Sequence, residues 1–286
     1  MKIIKYFFEF LFIVTFFFIF RIIGYKNASD LGKIIGENFG PLFRSNIKIE
    51  KNLENSNIGG SVKERKQIIK NMWGNYGRIL AEYPFLKNFK NNNLKKYFEI
   101  EGFNYLDEIK KNNKKVVFIS GHFNNFELMA MFLENSGLDI AAIYRPLNNI
   151  FLNGIMEKIR LNHICKKQIK KGKSGTRELL QLFKDGYSIA LMIDQRVSEG
   201  VKSKLFDRPA LTTTIPAQLV KKYNVDVVPV YIERKDNIFF KMSVNKPIIF
   251  EENKSLEEIT DKLNKVLEEM ILKNPDQWIW SHDRWK

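Results

Sequence analysis

The chain has one cysteine in 286 residues, so no intrachain disulfide can form and no Cys-based zinc cluster can be built. A fold held by its apolar core, in a reducing compartment, is expected. Histidine is almost as scarce. His122, His163 and His282 are the only three, and none has a partner at H-E-x-x-H spacing, so no metal centre is expected. Sixteen Gly and eight Pro are too few for a collagenous or low-complexity chain. No G-x-G-x-x-G or P-loop opens a helix after an apolar run, and no nucleotide cofactor, nor any other, is expected. Acidic residues are outnumbered, 32 against 47 Lys and Arg, which leaves a formal charge of +15.

Apolar residues make up 44% and aromatics 13% of the chain, which is enough for a substantial core and excludes global disorder. The charge suits an anionic partner: nucleic acid, an acidic membrane face, a phosphorylated substrate or an acidic carrier protein. Composition does not choose among them, and the Lys, Asn and Ile content is also what an AT-rich genome produces. No basic stretch is interleaved with aromatics as in RNA-binding modules, so nucleic acid is not expected as a partner. Residues 157–173 hold seven Lys/Arg and one Glu. The default for such a run is a solvated face. Anionic headgroups or an acidic carrier protein are the functional alternatives.

Residues 6–20 read YFFEFLFIVTFFFIF, in which eight of fifteen are Phe. Extended to residues 3–23 the segment reaches the ~20 residues that a helical crossing needs, but it then includes Lys5, Glu9 and Arg21. Lys5 and Arg21 can snorkel from the two ends; Glu9 lies inside and is the weak point. No small-residue cleavage site follows, which disfavours a signal peptide. A buried soluble helix would be unusually apolar for a chain start. The favoured reading is a membrane anchor over residues 1–26, spanning or half-inserted.

Residues 27–286 read as one α/β domain. Apolar runs at 116–119, 140–144, 188–193, 226–232 and 239–244 alternate with helical patterns at 125–135, 151–164, 176–184, 216–223 and 256–272. Two further helical patterns, at 31–43 and 62–82, precede them. This order predicts a central, mostly parallel or mixed sheet flanked by helices.

The chemistry centres on His122. It follows the run VVFIS and Gly121, which places its imidazole at the carboxyl edge of the sheet, where open α/β folds bind ligands. Glu127 stands five residues later. Five residues turn an ideal helix by about 500°, so the pair would not share a helix face. The spacing suits His122 in the turn and Glu127 in the first turn of the next helix, with Asn124 or Asn125 as its cap. A lone His more often satisfies a loop than performs catalysis. A carboxylate partner changes that, because it fixes the tautomer and stabilises the imidazolium. Ser120 is a weak nucleophile candidate, since it lies outside a G-x-S-x-G elbow.

The run from Ser120 to Leu128 resembles the H-x4-(D/E) block of the lysophospholipid acyltransferase superfamily. More narrowly it is similar to the late acyltransferases of lipid A biosynthesis, the lauroyl/myristoyl transferase family. Tyr144, Arg145, Pro146 and Asn149 resemble that family's Y-R-P-x-x-N block. Arg160 falls where it carries a helix arginine, and Asp194-Gln195 resembles its D-Q block. Residues 206–210 are similar to its F-F-G segment, although Asp207 and Arg208 stand where Gly is usual. Arg196 is also atypical. Residues 275–286, PDQWIWSHDRWK, resemble its C-terminal block.

The resemblance implies transfer of a fatty acyl chain from acyl carrier protein to a hydroxyl of a lipid A precursor, at the cytoplasmic face of the bacterial inner membrane. It implies His122 as general base and Glu127 as the group that orients it. Arg145 and Arg160 are implied contacts for phosphate, thioester or carrier, and Asp194 and Gln195 are implied to shape the site or bind sugar. By structure alone the two arginines could equally be ion-pair residues. Trp278 and Trp280 are expected to pack, and His282 to be structural. With one cysteine, transfer is expected to be direct rather than through an acyl-cysteine. Another lipid acceptor, or a non-enzymatic basic lipid-binding protein anchored to a membrane, are the alternatives.

Overall fold

The computed structural model describes residues 2–286. It opens with four helices, α1 (Lys2–Ile23), α2 (Tyr25–Phe43), α3 (Asn46–Asn55) and α4 (Val62–Glu82). A 3-10 turn (Tyr83–Phe85) leads to α5 (Leu86–Lys90), β1 (Phe98–Glu101) and α6 (Phe103–Lys111). The centre of the chain alternates: β2 (Val117–Ser120), α7 (Glu127–Asn135), β3 (Ile140–Tyr144), α8 (Ile150–His163), β4 (Lys167–Lys170), α9 (Lys173–Lys184) and β5 (Ser188–Met192). A hairpin follows, β6 (Val201–Leu205) and β7 (Arg208–Thr212), then α10 (Ile215–Tyr223). The chain closes with β8 (Val227–Lys235), β9 (Phe239–Val244) and α11 (Leu256–Lys273).

Seven strands form one sheet in the order β1-β9-β8-β2-β5-β3-β4, parallel except where β8 and β9 pair as a hairpin. The expected mixed, mostly parallel sheet is therefore present, in a single α/β domain. Its central strands are apolar on both faces. Phe118 of β2 and Ala190 of β5 join a core under α5 to α8, while Val117, Ile119, Ile189 and Leu191 join a second core under α9 to α11. A parallel strand buried on both sides reads as a continuous apolar run.

Two outer strands escaped the sequence pattern. β1 reads FEIE and β4 reads KQIK, edge strands with only alternate residues turned inward. The β6–β7 hairpin turns at Phe206 and Asp207, both with positive φ (51° and 57°). The missing glycine noted at this segment is thus accommodated by two side chains in the left-handed region that such turns require.

The helical pattern at 31–43 is longer than expected, because α2 begins at Tyr25 and continues through Pro41 to Phe43. Gly32, Gly36 and Gly40 form one stripe of α2 against Trp73, Gly77 and Ala81 of α4. A Cβ at Gly36 would stand 2.1 Å from the Trp73 carbonyl oxygen, so the close approach requires glycine there. Helix α1 is not detached from the domain. Phe16, Phe17 and Ile23 pack on the first core, with Phe20 buried in it. Glu9, the weak point of the segment, is partnered: Asn149 Nδ2 donates to its Oε2 at 3.1 Å and to the Tyr6 carbonyl at 2.8 Å.

Candidate active site

Parallel pairing builds the site. β2 and β5 lie side by side with Ser120 opposite Met192. His122 and Asp194 each stand two residues beyond those partners, so the chain brings them together at the carboxyl edge of the sheet across 72 positions. The His122 ring Nδ1 is 2.7 Å from Asp194 Oδ1, and the His122 backbone N–H donates to Asp194 Oδ2 at 2.8 Å. Trp278 Nε1–H donates to the same Oδ2 at 2.8 Å.

Burial alone would raise the Asp194 carboxyl, but the His122 charge and these donors outweigh it and bring the pKa to about 2. Burial likewise opposes the His122 imidazolium. The Asp194 charge and hydrogen bond overcome that, with Glu127 adding to them, and His122 is raised above 6.5. With a carboxylate on Nδ1, the neutral ring keeps its proton there and presents Nε2 as an acceptor. The Gln195 amide nitrogen lies 3.4 Å from Nε2. The Phe126 ring stands edge-on to the imidazole, 4.7 Å between centroids.

The expectation that Glu127 orients the His122 ring is corrected: the carboxylate on the ring is Asp194. Glu127 turns the other way. Asn124 takes a positive φ (44°), and α7 then starts with Glu127 in its first turn, facing α8. There Oε1 accepts from Arg160 Nε at 3.1 Å and Nη2 at 2.8 Å, and from the Tyr83 hydroxyl. Burial works against the Arg160 charge, but Glu127 and Tyr83 more than compensate and raise its pKa. Burial, followed by the Glu127 charge, pushes the Tyr83 phenol far up. This second cluster is therefore a fixed ion pair with a neutral phenol.

Asn124 and Asn125 do not cap α7. Asn124 Nδ2 donates to the Ile232 carbonyl and Gln277 Oε1, and Asn125 Nδ2 to Glu82 Oε2. Arg145 is exposed on the loop after β3 and takes part in neither carboxylate cluster. Ser120 is buried, its hydroxyl 3.4 Å from the Gly121 carbonyl. Of the six expected site residues, His122, Asp194 and Gln195 meet at one point and Glu127 and Arg160 at another.

The C-terminal segment does more than pack. Trp278 and Trp280 are buried as expected, but Trp278 also holds Asp194. His282 Nε2 accepts the Arg196 backbone N–H at 3.0 Å, so it braces the loop that carries Asp194 and Gln195. Burial, with the charges of Arg284, His122 and Arg44, lowers the His282 pKa despite Asp194, which keeps that nitrogen an acceptor. Arg196 Nε donates to the Lys286 carbonyl at 3.0 Å. The atypical arginine thus ties the loop to the chain end. Arg284 is fully buried, donates to the Leu211 carbonyl and Thr212 Oγ1, and is lowered to about 10 by burial. The packing of Trp278 and Trp280 and a structural role for His282 were expected, but their bonds to Asp194 and to the Arg196 loop, and the burial of Arg284, were not. The signal for their role was the block's own density in Trp, His and Arg.

Among the described residues, no group of three or more His, Cys, Asp or Glu side chains is placed to hold a metal ion. The arrangement can take a proton at His122 Nε2 and stabilise the resulting imidazolium through Asp194.

Two comparisons of sequence bear on identity. The chain matches the family model described as bacterial lipid A biosynthesis acyltransferase over residues 1–286. It is 25% identical to a lipid A biosynthesis acyltransferase of Haemophilus influenzae, over 88% of this chain and 83% of that one. It is 24% identical to a lipid A biosynthesis palmitoleoyltransferase of Escherichia coli, over 90% of this chain and 84% of that one. Among solved structures it is similar to a 1-acyl-sn-glycerophosphate acyltransferase from Thermotoga maritima, with a TM-score of 0.44, 14% identity and coverage of 96% and 99%. With the family match spanning its whole length, this chain belongs to the bacterial lipid A biosynthesis acyltransferase family and is an acyltransferase.

Proposed function

We propose that the protein moves a fatty acyl chain from the thioester of acyl carrier protein to a hydroxyl of a lipid A precursor, at the cytoplasmic face of the bacterial inner membrane. The observation that carries the mechanism is the 2.7 Å contact between His122 Nδ1 and Asp194 Oδ1, which leaves Nε2, beside the Gln195 amide, as the proton acceptor. The acceptor hydroxyl gives its proton to Nε2 as its oxygen bonds to the thioester carbonyl carbon. The carbon–sulfur bond then breaks, and the imidazolium returns the proton to the leaving thiolate. No acyl-enzyme forms, and the single, buried Cys165 is not needed. The relatives' names support the acceptor class, and α1 supports a membrane location.

In this scheme Asp194 orients and polarises His122, and Gln195 lines the same nitrogen. Glu127 acts from behind the ring: its charge favours the imidazolium, while its bonds hold α8 through Arg160. Lys171 is a cation close enough to oppose the imidazolium charge, and we assign to it and to the exposed Arg145 the contact with an anionic substrate group.

The test is acyl transfer from acyl carrier protein to a tetra- or penta-acyl lipid A precursor in detergent micelles. His122→Ala should abolish transfer while the protein stays folded. Wild-type rates in that variant would refute the assignment.

A further inference from the structure

Direct attack on a thioester puts negative charge on the carbonyl oxygen. As the acceptor oxygen bonds to the carbonyl carbon, the carbonyl π pair moves onto that oxygen, and a donor already in place there lowers the barrier most. His122 and Asp194 handle the proton and offer this oxyanion nothing. The backbone N–H groups that follow the strand end are spent. His122 donates to Asp194 Oδ2, Phe123 to the Gly121 carbonyl and Asn124 to the Gln277 carbonyl. The Arg160 guanidinium is turned to Glu127 and Tyr83.

Gln195 differs from all of these. Its side-chain nitrogen lies 3.4 Å from His122 Nε2. Because Asp194 keeps the ring proton on Nδ1, Nε2 carries a lone pair, and only the NH2 end of an amide can face it. The donor end of Gln195 therefore points at the atom where the acceptor hydroxyl must arrive. The attacked carbon stands one bond beyond the hydroxyl oxygen, and the oxyanion one bond beyond that carbon. A donor beside Nε2 reaches it by a rotation of its own side chain.

The backbone fixes this donor from both sides. Before it, Ile193 N–H donates to the Ser120 carbonyl at 2.9 Å, and the Asp194 carboxylate is held by His122 and Trp278. After it, Arg196 N–H donates to His282 Nε2 at 3.0 Å, and Val197 N–H to the Leu211 carbonyl at 3.2 Å. Gln195 itself is only half-buried, so its amide can turn while its backbone stays put.

We propose that Gln195 is a catalytic residue, the side-chain donor to the oxyanion of the tetrahedral intermediate. Proton transfer releases it. Once Nε2 takes the hydroxyl proton it becomes a donor itself, so the Gln195 NH2 loses its acceptor in the step that creates the oxyanion. Its N–H then bonds to that oxygen. On collapse the C=O re-forms, the C–S bond breaks, the leaving sulfur takes the proton from Nε2, and the amide returns to the ring. This deepens the proposed function and rests on it for the thioester and for direct attack.

The test has a kinetic part and a binding part. Gln195→Met keeps the length and removes the donor; Gln195→Glu keeps the shape and removes it too, should Met disturb the loop. Each should lower kcat on the alkaline plateau roughly 10²–10³-fold, with the acceptor KM and the thermal midpoint unchanged. A residue that only tuned His122 would move the acid limb and leave the plateau, and that result would overturn the proposal. So would a lower thermal midpoint with plateau kcat kept.

For binding, calorimetry compares methyl octylphosphonate, whose tetrahedral anionic centre imitates the intermediate, with the planar methyl ester of the same chain. The wild type should bind the phosphonate roughly 10²-fold more tightly than Gln195→Met does, and the ester equally well. Equal phosphonate affinities would overturn the assignment, even with kcat reduced. No acyl transfer enters this measurement. A wild type that discriminates the phosphonate but moves no acyl group to a lipid A precursor refutes the substrate reading alone. An active wild type beside a Gln195→Met of equal plateau kcat refutes the oxyanion donor alone.

Discussion

Two carboxylates stand at the same edge of the sheet and do opposite work. Asp194 holds a ring that can gain and lose a proton; Glu127 holds a guanidinium that cannot. Both are buried, and both accept from several donors. The difference lies in the partner and in what the partner leaves free. His122 keeps one nitrogen toward the site, whereas Arg160 spends Nε and Nη2 on Glu127. A carboxylate becomes part of proton transfer through the titratable group beside it, and a buried ion pair with a fixed charge contributes only structure and field.

The largest expected effect separates the two. Asp194→Asn keeps the shape but loses the charge and the tautomer control, and should lower kcat roughly 10³–10⁴-fold with little change in thermal midpoint. Steady-state kinetics beside a melting curve check it. Glu127→Ala should do the reverse at moderate temperature. Removing one partner of a buried pair leaves Arg160 uncompensated and costs ~3–5 kcal/mol of stability. Glu127→Gln should retain far more activity than Asp194→Asn. Equal loss of kcat in Asp194→Asn and Glu127→Gln, both still folded, would break the comparison and return Glu127 to the role its spacing suggested.

The pair also predicts how pH acts. His122 must be neutral to take a proton, and its pKa is raised, so activity should fall below a midpoint that lies above 6.5. Stability runs the other way. The His122 contribution is fully present below the unfolded pKa near 6.5 and fades as pH rises through the raised value. The Asp194 contribution is present above its ordinary 3.8 and is lost as pH falls toward about 2. The pair therefore stabilises most between those limits, below the pH where the enzyme works best. In Asp194→Asn the raising influence is gone and burial remains, so the acid limb should move down. Rate profiles and NMR titration of the His122 ring read both.

His282 sharpens the comparison from a third side. His282→Phe removes the acceptor of the Arg196 N–H and loosens the loop that carries Asp194. We expect kcat to fall roughly tenfold, in line with ~1–3 kcal/mol for an orphaned donor, with the acceptor KM unchanged. His282→Gln supplies an acceptor again and should recover most of that loss. A drop in melting temperature with unchanged kcat would show packing alone.

Much of the fold was legible because β2, β3, β5 and β8 are apolar runs, which parallel burial requires. The edge strands β1 and β4 were not, since half their residues face water. The site was half legible. His122 followed from a strand end, but its partner did not, because i to i+5 spacing offers Glu127 while the true neighbour lies just past β5. Only the register of Ser120 against Met192 shows that residues 122 and 194 meet. Asp194 and Gln195 were found through a resemblance, and their contact with His122 was not. Likewise Trp278, 84 positions from Asp194, carries no local sign of its hydrogen bond.

Trp278→Phe is the smallest change and the finest probe. The ring volume is largely kept, and one donor to Asp194 Oδ2 is lost. Fewer donors make the carboxylate more basic, so the Asp194 pKa should rise from about 2 toward its ordinary value. A more basic carboxylate pulls harder on the His122 proton, and the raised His122 pKa should rise further. The acid limb of the rate profile should then move to higher pH, opposite in sign to its movement in Asp194→Asn, while kcat on the alkaline plateau changes by less than about tenfold. Opposite shifts from two substitutions at one carboxylate would show that its charge, rather than its bulk, sets the base. A shift in the same direction would mean that Trp278 acts by holding Asp194 in place, and that the electrostatic account of the pair is incomplete.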